Sequence, residues 1–277
     1  DKNIRLFQPT VDKRELDKVK EVLDRAWLGG GPLVTEFEEA WSNHIGCKVS
    51  VALNSCTAAL HLALLCQNFP KGKKVLVPSM TFASTAVAPL YCGLEPVFVD
   101  SNKNTLGMCI DDLKSKYDKD CVAVIPVHLG GHPVEMEKLV PWAREKGLLI
   151  IEDCAQAHGA KYRDRKVGSI GDVSCFSFYP TKNLNCIGDG GAITTNNKKI
   201  YTLAKKIREY GWDTRNDSKI VGLNSRLDEI QAAILLIKLK KISFLNHQRR
   251  KIAKKYFENI KKSKKIILPK FNKIDNH

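Results

Sequence analysis

The chain has 277 residues, 43% apolar and 27% charged, which is ordinary for a globular protein and long enough to bury a large core. No apolar run approaches the roughly 20 residues of a membrane span, and no charged-then-apolar leader opens the chain. The net charge of +15 raises nucleic-acid binding as a question, and nine cysteines without a CxxC pair, most in apolar surroundings, read as free thiols of a cytoplasmic protein rather than a disulfide framework or a zinc site.

Taken in chain order, the periodicity predicts helices over residues 12–26 and 33–45, separated by the loop Gly29-Gly30-Gly31-Pro32. A strand over 49–53 leads into a helix over 57–67, and a strand over 74–78 into a helix over 82–91. Strands follow over 96–99 and 122–128, then a helix over 136–146. Three more strands fall over 148–152, 173–179 and 191–195, before helices over 198–210, 227–242 and 245–260. The strands are near-continuous apolar runs, as expected when helices cover both faces of a mainly parallel sheet. The fold class is therefore α/β with seven strands, and such layers bind ligands at the carboxyl ends of the strands.

A domain change is expected around residues 240–246, giving a large domain with an N-terminal arm over 1–243 and the start of a smaller C-terminal domain over 244–277. The excess charge sits there: residues 238–277 hold 14 Lys/Arg against Glu258 and Asp275, a net +12, while the first 237 residues carry only +3. Helical apolar spacing through Leu239, Ile242, Leu245 and Ile252 makes this a solvated helix face. It lacks the interleaved aromatics or reading motif of a nucleic-acid surface, although the charge is available to attract an anionic, diphosphate-bearing substrate. The chain starts at Asp1 rather than Met and stops soon after a strand-like Ile266-Ile267-Leu268-Pro269, so it reads as a segment of a longer protein.

The chemistry concentrates at strand ends. Ile150-Ile151-Glu152-Asp153 runs an apolar strand into an acid, and Phe176-Ser177-Phe178-Tyr179-Pro180-Thr181-Lys182 puts a lysine after another strand. A lysine is ordinarily a surface residue and an aspartate at a strand end is ordinarily a helix cap. Together, on neighbouring strands, they supply what pyridoxal phosphate (PLP) needs: an amine to form a Schiff base with the aldehyde, and a carboxylate to keep the pyridine nitrogen protonated. Asn54-Ser55-Cys56-Thr57 enters a helix, and the N–H groups there, with the Ser55 and Thr57 hydroxyls, suit a phosphate; Ser177 is placed to add another hydroxyl. Phe82 follows a strand end, where an aromatic either stacks on a ring or fills the core. His128 ends a strand and is either structural or functional. There is no GxSxG, no GxGxxG after a strand, no Walker loop and no HExxH.

Over essentially its whole length the chain resembles the DegT/StrS-type sugar aminotransferases, PLP enzymes of the aspartate aminotransferase fold (fold type I). The resemblance rests on Trp27-Leu28 with the glycine loop, Phe37-Glu38, the Asn54–Leu64 segment and Pro96-Val97-Phe98-Val99-Asp100. It continues through Pro126-Val127-His128-Leu129, the segments 152–160, 176–184 and 188–195, and Gly222-Leu223-Asn224-Ser225-Arg226 with the helix after it. It implies Lys182 as the Schiff-base lysine, Asp153 as partner of the pyridine nitrogen and Gln156 as donor to the phenolic oxygen. It places Ser55, Cys56, Thr57 and Ser177 around the phosphate, Phe82 on the ring and His128 near the sugar. Asn224 is implied to reach the same phosphate from the second subunit of a homodimer, so that the active site is shared.

Four positions depart from the family pattern: Cys56 and Asn185 where glycine is common, Gly130 where tyrosine often follows His-Leu, and Val87 where asparagine is frequent. They leave the cofactor chemistry intact and bear on substrate preference. The resemblance implies an aminotransferase acting on a nucleotide-linked keto-sugar with L-glutamate as donor, in surface-glycan or secondary-metabolite synthesis. The 3- or 4-keto position and a dTDP, UDP or GDP carrier stay open. Family members that are sugar dehydratases carry histidine in place of the lysine, so Lys182 favours transamination; a PLP-binding dehydratase or regulator of the same fold is the alternative. Neither nucleic acid nor membrane is an expected partner, and no metal is expected.

Overall fold

The computed structural model describes residues 7–260, 263 and 265–270. Seven strands form the central sheet: β1 (Val49–Leu53), β2 (Lys74–Pro78), β3 (Glu95–Val99), β4 (Cys121–Val124), β5 (Leu149–Asp153), β6 (Val173–Ser177) and β7 (Gly191–Thr195). Their spatial order is β1-β7-β6-β5-β4-β2-β3. All neighbours pair in parallel except β7, which runs antiparallel to both β1 and β6. The carboxyl ends of the other six strands therefore share one edge of the sheet, where β7 begins. β4 ends short of the expected 128 because Pro126 has no N–H to continue the ladder; pairing resumes only as an isolated bridge between Val127 and Asp153.

Nine helices are seen among the described residues: α1 (Lys13–Asp24), α2 (Pro32–Ile45), α3 (Cys56–Leu65), α4 (Ser84–Tyr91), α5 (Ile110–Lys116), α6 (Met136–Glu145), α7 (Lys198–Arg208), α8 (Glu229–Leu239) and α9 (Ile242–Ile260). Of these, α5 has no counterpart in the sequence pattern. It is seven residues long and buries only Ile110 and Leu113, too little periodicity to stand out from a loop. Short antiparallel hairpins join Lys161–Tyr162 to Arg165–Lys166 and Trp212–Thr214 to Asp217–Ser218. No helix among the described residues is long and apolar enough to cross a membrane.

Period-two alternation along the strands divides the core. Phe176 and Ala192 face one side with Phe37 and Trp41 of α2 and Ala232 of α8, while Cys175, Val173 and Ile193 face the other with Leu60 of α3 and Ile200 of α7. Phe37, Trp41, Phe176 and Phe178 meet edge-on or offset, the Trp41–Phe176 centroids 4.9 Å apart. A third cluster joins β2 and β4 to α5 and α6 through Leu76, Val124, Leu113 and Leu139.

The ends of the helices explain how these layers lock. α1 has a full capping box, Asp12 accepting from Arg14 N and Glu15 accepting from Asp12 N. α2 has glycine at its cap and proline next, so its own sequence offers no side-chain acceptor. Glu229 of α8 supplies it instead, accepting from Leu33 N at 3.2 Å and Val34 N at 2.9 Å across almost two hundred residues. At the C-terminal end, Ile242 and Asn246 in the first turns of α9 are buried against the large body, so packing continues across the expected division at 243/244. Beyond Ile242 the expected apolar stripe emerges from the protein, with Ile252 exposed. Residues 266–270 form no strand; Lys270 N donates to Asn104 O at 2.7 Å. Parts of the basic stretch and of the 244–277 segment lie outside the described residues.

Candidate active site

At the shared strand edge a cavity of about 530 Å³ opens, lined by residues following β1, β2, β4, β5 and β6 and preceding β7. Such a volume suits a small cofactor with room for a substrate. Ser55, Cys56, Thr57, Phe82, Asp153, Gln156, Ser177 and Lys182 all line it, so eight of the ten expected residues converge on one space although the chain separates them by up to 127 positions.

Asp153 is the last residue of β5 and is buried, yet reaches the cavity wall. Its Oδ1 accepts from Ala155 N at 3.1 Å and its Oδ2 from the Thr85 hydroxyl at 2.8 Å. Burial pushes its pKa above the ordinary value; those two donors and the nearby Lys182 oppose the rise without cancelling it. A buried carboxylate with lone pairs to spare, facing a cavity, is suited to a cationic N–H.

Lys182 is presented by a tight turn after β6, its N–H donating to Tyr179 O at 2.9 Å. Asn185, where glycine is common in the family, steadies that turn by donating to Lys182 O at 2.9 Å. Asn183 ties the same loop to α9 through Asn246 at 3.0 Å. The Lys182 amine makes no ion pair with a described residue and borders both the cavity and a neighbouring groove that shares Gln156 and Thr181.

The start of α3 brings free hydrogen-bond donors to the same cavity. Ser55 caps α3 by accepting from Ala58 N at 3.1 Å. Cys56 and Thr57, at the first and second helical positions, hold N–H groups that no intrahelical carbonyl can reach. Gly191 comes so close that a Cβ there would sit 2.3 Å from the Ser55 carbonyl carbon, so only glycine allows β7 to flank the helix start. Cys56 is helical and its side chain packs into the core, leaving its backbone available to an anion. The Ser177 hydroxyl accepts from Tyr179 N at 3.3 Å at the cavity floor. Gln156 is oriented by its neighbour: Oε1 accepts from Gly130 N at 2.7 Å, which leaves the Nε2 hydrogens as donors. Phe82 is 74% exposed on the rim, so it is no core residue. This donor set, an anion cradle, a free amine, an amide donor and a buried carboxylate, fits PLP.

Two expected residues do not line the cavity. His128, expected near the sugar, is fully buried behind it. Its Nδ1 accepts from Val134 N at 3.2 Å, so Nε2 carries the hydrogen and donates to Glu152 at 3.0 Å. Both ring nitrogens are therefore engaged by the protein itself. Asn224 is exposed, bridged to Glu209 outside its own chain's cavity.

Two buried residues carry no signal in the sequence that would single them out. Glu152 points away from Asp153, as consecutive strand residues must. It accepts from His128, Gly168 N, Ile170 N, Gly171 N and the Ser174 hydroxyl, pinning the loop before β6. Burial raises its pKa, but His128 and those N–H groups outweigh this and hold the carboxyl below its ordinary value. Cys154 lies near His128 and Glu152, but the carboxylate is already occupied by five donors. Thr85, the second, contacts Asp153 directly. Each is locally no more than a polar residue in an apolar run.

Fold and site together define an α/β aminotransferase scaffold, and comparison with known proteins agrees. A description of the DegT/DnrJ/EryC1/StrS aminotransferase family matches residues 9–277, and the chain belongs to that family. It is 35% identical over 262 residues to GDP-perosamine synthase of Escherichia coli O157:H7, covering 94% of this chain and 72% of that one. It is 37% identical over 253 residues to dTDP-3-amino-3,4,6-trideoxy-alpha-D-glucose transaminase of Streptomyces venezuelae, covering 91% and 66%. Among solved structures, S. venezuelae DesV in complex with a ketimine intermediate superposes with a TM-score of 0.87 at 36% identity, over 89% of this chain and 66% of that one. Helicobacter pylori PseC, an aminotransferase involved in the biosynthesis of pseudoaminic acid, gives 0.89 at 30%, over 95% and 72%.

Proposed function

We propose that the protein is a PLP-dependent aminotransferase that converts a nucleotide-linked keto-sugar into an amino sugar, with L-glutamate as donor. One observation carries the reading: the buried Asp153 carboxylate and the Lys182 amine face a single cavity that begins at the start of α3. Relatives whose names carry GDP- and dTDP-linked sugars support the substrate class.

When bound, PLP supplies an aldehyde carbon that takes up amines and a ring that accepts electrons. Asp153 would hold a proton at the ring nitrogen as a charge-assisted pair. Lys182 would anchor the aldehyde carbon at rest and, once displaced by the donor amine, move a proton at the donor's α-carbon as general acid and base. It would reverse that transfer at the sugar carbon in the second half. Cys56 N, Thr57 N and the Thr57 and Ser177 hydroxyls would bind the phosphate, Gln156 Nε2 would donate to the phenolic oxygen, and Phe82 would cover the ring. A second copy of the chain would bring its Asn224 to the same phosphate, making the homodimer part of the site. The nine free cysteines suit a reducing cytoplasm. The division into a domain over 1–243 and the start of another over 244–277 belongs to the same proposal.

The test is an absorbance spectrum of the protein loaded with PLP, before and after L-glutamate, beside Lys182→Ala. A lysine-dependent band that glutamate removes in the unsubstituted protein is the expected result. A band that persists with every donor points to a PLP protein that does not transfer nitrogen. Absence of any Lys182-dependent band overturns the reading.

A further inference from the structure

Thr85 lies in the first turn of α4, just past the loop that carries Phe82, and is fully buried. Its hydroxyl is 2.8 Å from Asp153 Oδ2 and 2.7 Å from the hydroxyl of Thr81, which lines the cavity. An ionised carboxylate can only accept, so Thr85 must spend its single hydrogen on Asp153. It must then accept from Thr81, and the direction of both bonds is set. Ala155 N holds the other carboxylate oxygen at 3.1 Å. With one donor on each oxygen, the plane of the carboxylate is fixed at the cavity wall.

We propose that Thr85, backed by Thr81, is a positioning residue for Asp153: a two-hydroxyl relay that orients its carboxylate and favours the ionised form needed at the cofactor nitrogen. The inference rests on the cofactor reading above for its purpose, but the relay itself is a property of the chain. The other titratable groups around Asp153 are Lys182, whose charge favours ionisation, the His128 ring, which is neutral in the tautomer given above, and the Cys56, Cys154 and Cys175 thiols, which are buried and neutral. None of these donates a hydrogen bond to the carboxylate, so loss of Thr85 leaves Oδ2 without a donor among the described residues.

Thr85→Val keeps the shape and removes the hydroxyl; Thr85→Ser keeps the hydroxyl. In PLP titrations followed by tryptophan fluorescence, Thr85→Val should weaken binding about tenfold, the cost of about one hydrogen bond to a charged group, while Thr85→Ser stays within about twofold. The pH at which the bound cofactor's absorbance changes should shift in Thr85→Val only. Unchanged affinity and titration in Thr85→Val, or an equal loss in Thr85→Ser, overturns the relay. Should the unsubstituted protein show no Lys182-dependent PLP binding, the cofactor reading fails by itself. The relay is then judged in the cofactor-free protein by a double-mutant cycle with Asp153→Ala, which leaves Thr85 no partner at that position. A destabilisation by Thr85→Val that differs between the unsubstituted and the Asp153→Ala backgrounds supports it; the same destabilisation in both sinks it.

Discussion

The carboxylate of Asp153 is held against its own preference. Burial raises its pKa from 3.8 in the folded chain, so the folded state keeps that proton more tightly than the unfolded one. Stability from this group is therefore fully present below the unfolded value and is lost as pH rises through the raised folded value. At neutral pH the cofactor-free protein bears the cost of burying an acid that the unfolded chain ionises freely. Asp153→Asn removes that cost, and the amide fits: its oxygen accepts from Ala155 N while its NH2 donates to Thr85, which then donates to Thr81. The cofactor-free variant should melt at or above the unsubstituted temperature at pH 7.5, with the difference shrinking toward pH 4. PLP affinity should drop by about 2–5 kcal/mol, the usual loss when one member of a buried charge pair is removed. Calorimetric melting of both proteins at the two pH values checks the first part, and a melting temperature well below the parent at pH 7.5 contradicts it.

At the scale of elements, the cap on α2 is the clearest case of structure that local sequence could not reveal. Gly31 and Pro32 end a loop and start a helix, which is legible, but the acceptor for Leu33 N and Val34 N comes from α8. Glu229 lies at the start of its own helix and reads there as an ordinary first-turn acid. Removing it strands two buried N–H groups, so Glu229→Ala should cost about 2–4 kcal/mol, from a cap of about 1 and a further unsatisfied donor of about 1–3. Glu229→Gln, which keeps an acceptor, should lose less. Urea unfolding measures both, and a loss under about 0.5 kcal/mol in Glu229→Ala means the contact is not stabilising. The same contrast runs through the rest of the molecule. β1, β2 and β7 are legible to the residue because both faces are covered and the apolar runs end at turn formers. Asp153 and Lys182 are legible because strand ends in an α/β layer converge. His128 is not, because a strand-end position does not tell which way a side chain points; its burial depends on Glu152 and Val134, which only folding brings near. Thr85 and Glu152 escape notice for the same reason, since their partners are 68 and 16–24 residues away.

The molecule as a whole exposes apolar residues where a single chain gains nothing by doing so. Phe82 is 74% exposed on the cavity rim and Val221, three residues before Asn224, is 94% exposed. A surface that pairs two copies would cover such residues and carry Asn224 toward the other cavity, which its own chain does not let it reach. In a two-fold dimer each copy would lend the same residue to its partner. Complementation tests this without any structure of the pair. Lys182→Ala disables the amine of its own cavity, and Asn224→Asp, by placing a negative charge near the phosphate, disables the partner's. Each variant alone should be nearly inactive. After co-expression, random pairing makes about half of the dimers mixed, and in each of these one cavity has lost both groups while the other keeps both, so about a quarter of the parent activity should return. Recovery near that fraction requires a site built from two chains. No recovery, with mixed dimers confirmed by mass, places Asn224 and Lys182 in the service of the same chain's cavity or of none.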